Sequence, residues 1–156
     1  RGGQRWSIDA TFPPLTRTAF APVWAFAQKQ KGQFGTFTFV PPIYSNTSGT
    51  ATGTLLVNNT AGYIVGTTTI TVDGLTGTLK AGDFIKFAGH DKVYTIVADA
   101  TTSLIIEPVL QSPVVNNEVV TYNAVPFTVA FTTDTQNMSV GIGGFVNYSM
   151  KLIEVV

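Results

Sequence analysis

Few residues in this chain are of a type that does chemistry. The single histidine, His90, stands in Gly89-His90-Asp91-Lys92 between two predicted strands, where a hairpin loop exposes it to solvent. A nucleophilic triad needs a nucleophile on one side of the imidazole and an orienting carboxylate on the other, and one loop does not establish that proximity. His90 therefore reads as an ordinary turn residue. The aspartates, spread from Asp9 to Asp134, show no helix-borne or loop-borne ligand spacing, so neither a metal nor a cofactor is expected. Glu107, Glu118 and Glu154 are the candidates for a sugar-cleaving carboxylate pair, whose members must stand about 5 to 10 Å apart. Their places at predicted strand ends read more simply as solvated. Gly141-Ile142-Gly143-Gly144 looks like a phosphate cradle but lacks the following lysine and the strand-to-helix setting, so it reads as a turn or bulge. With no cysteine there is no disulfide, no thiolate zinc site and no thiol nucleophile. The expectation is a non-enzyme with no catalytic residue.

Two further patterns carry structure rather than chemistry. Asp83, in Leu79-Lys80-Ala81-Gly82-Asp83, suits a tight turn whose backbone N–H groups its carboxylate accepts. Asn46, Asn58, Asn137 and Asn147 each open an Asn-x-Ser/Thr triplet, which a chain this rich in Asn and Thr produces by chance.

The elements that must position these residues are mostly strands. Residues 4–12 alternate at Trp6, Ile8 and Ala10, and Pro13-Pro14 ends the run. A helix follows over about 17–31, with Thr16 as N-cap and Phe20, Val23, Trp24 and Ala27 along one apolar face. Pro22 falls slightly beyond the first turn with Thr16 as cap and nearer to it if Thr18 caps instead, so the helix start can shift by two residues. Residues 34–40 read as a strand, with Phe37 and Phe39 alternating against Thr36 and Thr38. Residues 43–66 read as exposed loops with brief strands. Runs at 68–72, 84–87, 93–97, 104–106 and 118–122 suggest a small barrel, and 127–131 and 148–155 supply closing strands. The expected fold is mainly β with one short α-helix: a strand-helix-strand β-sandwich core from 1–42 and 124–156, with a small β-barrel inserted at 43–123.

Composition favours assembly. Of 156 residues, 12% are charged against roughly 25% in ordinary soluble proteins, 44% are hydrophobic, and the formal net charge is zero. A free monomer normally keeps its net charge away from zero, so this balance suits faces covered by neighbours. Nine basic and nine acidic residues leave no basic stripe, which argues against nucleic acid and anionic membrane as partners. No apolar run approaches the roughly 18 residues of a membrane helix. The chain opens at Arg1 without methionine or leader, and the expectation is that an N-terminal stretch of the natural polypeptide is missing. Aromatic area concentrates in the first quarter, and the candidate interface residues are Trp6, Phe26, Phe37, Tyr44 and Tyr63. Phe26 lies off the main helical face and is the foremost candidate to touch a neighbouring subunit or the inserted barrel.

The order of motifs carries a resemblance. Gly3-Gln4-Arg5-Trp6, Pro13-Pro14-Leu15-Thr16-Arg17, the helix, Gly32-Gln33-Phe34 and Phe37-Thr38-Phe39-Val40-Pro41-Pro42 together resemble the opening of bacteriophage tail-tip proteins, the distal tail and minor tail family. Leu79-Lys80-Ala81-Gly82-Asp83-Phe84-Ile85, Val93-Tyr94-Thr95-Ile96-Val97 and Ile106-Glu107-Pro108 are similar to β-rich insertions of phage virion proteins, and residues 148–156 resemble their last strand. The resemblance implies a structural subunit of the virion tail, assembled in the host cytoplasm. It implies copies in a ring, often a hexamer, with tail tube and baseplate or tip proteins as neighbours. The alternatives are a carbohydrate- or receptor-binding β-module, suggested by the loop-rich 45–62 region with Tyr44 and Tyr63, or another virion ring, collar or capsid-associated protein.

Overall fold

The computed structural model describes residues 3–156, so Arg1 and Gly2, the first positions of the expected core, lie outside the described residues. The protein is mainly β with one helix, and its strands divide between an open five-stranded sheet and a closed six-stranded barrel, a two-sheet arrangement compatible with a sandwich core. One compact unit takes in Arg5–Thr38 with Thr128–Val156, and another takes in Phe39–Phe127 together with the described residues up to Gln4.

In the first unit, β1 (Ser7–Thr11) pairs antiparallel with the long last strand β11 (Val146–Glu154), matching Ser7 to Ile153 and Thr11 to Ser149. The opposite edge of β11 is shared. β9 (Phe127–Phe131) takes its end from Leu152 onward, and β10 (Met138–Val140) takes Val146 to Tyr148. β2 (Thr36–Phe39) closes the order β1-β11-β9-β2. Along β11, Val146, Tyr148, Met150, Leu152 and Glu154 are buried while Asn147, Ser149 and Lys151 face solvent, the two-residue period of a half-covered sheet.

The helix α1 (Arg17–Lys29) supplies the apolar partner of that face. Thr16 caps it, its hydroxyl accepting from the Ala19 N–H at 3.4 Å. Pro22 therefore lies well past the first turn, where it leaves the Thr18 carbonyl without its intrahelical donor. The helix ends at Lys29, earlier than the expected residue 31, because Gln30 turns its N–H back to the Ala27 carbonyl and Lys31 adopts φ 54°. Gly32 follows at φ +65°, where an added Cβ would lie 2.3 Å from Asp134 Oδ1, so only glycine fits.

The second unit is the barrel, with staves β3 (Leu55–Val57), β4 (Thr69–Asp73), β5 (Phe84–Phe87), β6 (Tyr94–Ile96), β7 (Ser103–Glu107) and β8 (Val119–Thr121). They pair in the order β3-β4-β7-β6-β5-β8, and β8 returns to β3 through Leu55–Val120 and Leu56–Val119, so no edge remains. Inward side chains fill the interior, including Leu55, Val57, Ile70, Phe87, Tyr94 and Leu104, each fully buried. This corrects the exposed-loop expectation for 43–66: β3 is a barrel stave, and its short apolar run is buried because closure needs a sixth strand between β4 and β8.

Candidate functional site

His90 is buried, contrary to the exposed hairpin expected for it. Its ring packs against Phe87 at 5.3 Å, and its Nδ1 lies 2.9 Å from the Tyr94 hydroxyl. Its Nε2 lies 3.3 Å from the Pro113 carbonyl. A carbonyl only accepts, so Nε2 carries the proton and Nδ1 accepts from Tyr94, whose oxygen in turn accepts from the Gln111 N–H at 3.1 Å. The imidazole thus ties the 110–113 segment to the β5–β6 turn.

Asp83 is buried and gathers four donors: the Ser48 N–H at 2.9 Å, the Ser48 hydroxyl at 2.8 Å, the Lys80 N–H at 2.8 Å and the Thr47 hydroxyl. Burial alone raises its carboxyl, but the bonds from Thr47, Ser48 and Lys80 outweigh it and hold the group below the usual carboxylate range. The turn role expected for Asp83 is present locally through Lys80, and the same side chain also clasps the distant 47–48 loop. Beside it, the exposed Asp99 is held low first by the hydrogen bond from the Lys80 ammonium at 2.6 Å and then by the Ala81 N–H.

Two of the three glutamates also bind backbone, while Glu107 stands exposed at the end of β7. Glu118 accepts from the Gly89 and Val115 N–H groups at 2.9 and 3.0 Å. Glu154, expected to be solvated, is fully buried and accepts from the Trp6 N–H at 3.2 Å, because strand alternation turns it inward with Leu152. Asp134, which in the sequence is only one of the scattered aspartates, accepts from the Gln33 N–H at 2.9 Å and pins the helix exit. Among the described residues no group of three or more His, Cys, Asp or Glu could hold a metal ion, and no helix is long and apolar enough to cross a membrane.

Two sets of aromatic side chains pack within the first unit. Tyr148 is stacked on Phe12 at 6.0 Å and met edge-on by Phe20 at 5.5 Å and Trp24 at 6.0 Å. Its hydroxyl donates to Gln136 Oε1 at 2.9 Å, and burial pushes its phenol up. Phe26 meets Phe37 edge-on at 5.0 Å, and Phe37 leans on Phe131 at 5.5 Å, so both expected interface residues pack within their own unit while Phe26 keeps 39% of its surface exposed. Trp6 is half-buried beside Glu154. Tyr44 stands 77% exposed. Tyr63 packs against the barrel core, and its hydroxyl accepts from the Thr71 N–H at 2.9 Å. Burial opposes its ionisation, but the Thr71 and Asn59 bonds prevail and lower its phenol.

A concavity of the first unit lies between α1 and the β10–β11 hairpin. Phe20, Ala21 and Trp24 line one wall, Met138, Val140 and Val146 the other, and Arg17 stands at the rim of a groove of 440 Å³. Trp24 is half-buried there, so Trp24→Ala removes part of a core side chain; we expect a loss of about 2 kcal/mol in denaturant unfolding, below the 3–5 of a fully buried tryptophan. A loss under about 0.5 kcal/mol would show that Trp24 contributes nothing to the sheet-helix core. Compared with protein-family models and with curated proteins, the sequence matches none.

Proposed function

We propose that this chain is a non-enzymatic structural subunit of a bacteriophage virion, forming a ring at the tail tip, the baseplate or the tail tube junction. The observation that carries the assembly reading is the apolar surface that the fold leaves uncovered. Phe34 is 88% exposed, Ile43 82%, Ile64 78% and Ile142 fully so, on a chain with 12% charged residues and no net charge. Side chains of that size in water, without charge to keep copies apart, favour burial against other subunits. Ile43 adds backbone strain: a β-branched residue at φ 68° turns itself and Tyr44 outward at the exit of β2. The buried acidic groups and the histidine are each engaged in holding backbone, which accords with a structural role. The virion assignment itself comes from the resemblance of the opening segment and the last strand to tail-tip proteins.

Cyclic assembly is the closed symmetry that such contacts favour. Light scattering of the purified protein over a concentration series at moderate salt should give a mass of about six subunits. A monomer at every concentration, unchanged by added tail-tube or baseplate partner, would defeat the reading. A second reading, a carbohydrate- or receptor-binding module, is favoured by the Tyr44 ring, which stands in solvent as a stacking surface for a sugar. Saturable glycan binding by a monomer would select it.

A further inference from the structure

We propose that the groove between α1 and the β10–β11 hairpin binds an amphiphile with an anionic head, of the alkyl carboxylate class. Its volume of 440 Å³ falls in the range of small-molecule sites, about 300 to 1,000 Å³. Each wall is apolar and has a well-covered residue: Phe20 and Val146 keep only 5% and 6% of their surface, and Trp24 also lines the cleft. The walls stay open, with Met138 49% and Val140 62% exposed, so an aliphatic chain entering the groove removes apolar surface from water on both sides.

Charge selects the head group. Arg17 is the one ionisable residue lining the groove, and no carboxylate lines it to repel an anion. Neither the Lys80–Asp99 nor the Lys86–Asp91 ion pair involves Arg17. Its guanidinium is positive at any working pH and presents a planar fork that matches a carboxylate. An alkyl ammonium of the same length would gain the apolar contact and meet a like charge at the rim.

Trp24 reports occupancy directly. In a Trp6→Phe background it is the sole tryptophan, and decanoate below its micellar concentration should shift its emission saturably. Decanol should bind about five-fold more weakly, as expected for loss of one partly exposed ion pair, and decyltrimethylammonium more weakly still. Arg17→Gln should bring decanoate and decanol to the same affinity, and Ala21→Phe, which fills the cleft from an exposed helical position, should abolish the response. Isothermal titration of the unaltered chain gives the same ranking if the background variant folds poorly. Equal binding of the three titrants, a response that never saturates, or a carboxylate preference that survives Arg17→Gln each overturns the proposal. So does an emission shift that tracks an increase in mass by light scattering, which would assign the groove to contact between copies. Because every reading is taken on the isolated protein, the outcome is independent of the virion assignment.

Discussion

Asp83→Ala should lower unfolding stability at neutral pH by about 3 kcal/mol, because the substitution strands four donors around a buried position. The donors come from two stretches separated in sequence, the 47–48 loop and the Lys80 turn, so the clasp closes the barrel unit on itself. The wild-type effect is pH-dependent in a direction set by the lowered carboxyl. The folded value lies below the unfolded one of about 3.9, so the charged state stabilises the fold above that value. This stabilisation is lost as pH falls through the folded value. The difference between wild type and Asp83→Ala, measured by denaturant unfolding from pH 7 down to 2, should therefore hold steady to about pH 5 and shrink below pH 4. A difference independent of pH would show that the carboxylate's charge is irrelevant and that only its shape matters.

Asp83 also shows where sequence reading succeeds and where it stops. The bond to Lys80 spans three residues and is implied by the turn itself, whereas Thr47 and Ser48 reach the same oxygens only because the barrel brings them there. The staves behave similarly. Runs 84–87 and 127–131 stand where expected because short aromatic- and β-branched-rich runs bounded by turn residues favour strands. β3 is three residues long and β10 has all three exposed, so neither shows a periodicity to detect. Glu154 is a different case, since the period that buries Tyr148, Met150 and Leu152 also points position 154 inward. The periodic signal is present in the sequence but competes with the general preference of glutamate for water. His90 had no such local signal: its acceptor at Pro113 lies 23 residues away.

The same contrast separates the two surfaces that matter for function. The apolar residues left in water, Ile43, Ile64 and Ile142 among them, are visible as anomalies only once burial is known, because in sequence an isoleucine between turns reads equally as core. The groove on α1 needs the β10–β11 hairpin, and that hairpin depends on Gly141 donating to the Phe145 carbonyl at 2.8 Å and on left-handed backbone at Gly143 and Gly144. The glycine run, which reads as a turn or bulge in the sequence, is thus what folds the second wall of an apolar cleft.

Phe87→Ala should be the most damaging of these substitutions, at about 4 kcal/mol, by denaturant unfolding. Phe87 is fully buried in a barrel with no edge through which neighbours can relax, so the cavity left behind persists. Its ring also walls the His90–Tyr94 bonds, at 5.3 Å from the imidazole and 5.5 Å from the phenol. Tyr94→Phe separates the two contributions, since it keeps the packing and removes the hydroxyl that serves His90 and the Gln111 N–H; its cost should be about 1–3 kcal/mol. The double variant should cost less than the sum, because a cavity beside His90 admits water that satisfies the groups Tyr94 abandons. Additive losses would mean that the barrel interior holds its shape without Phe87, and a loss under about 1 kcal/mol for Phe87→Ala alone would contradict a closed, filled barrel.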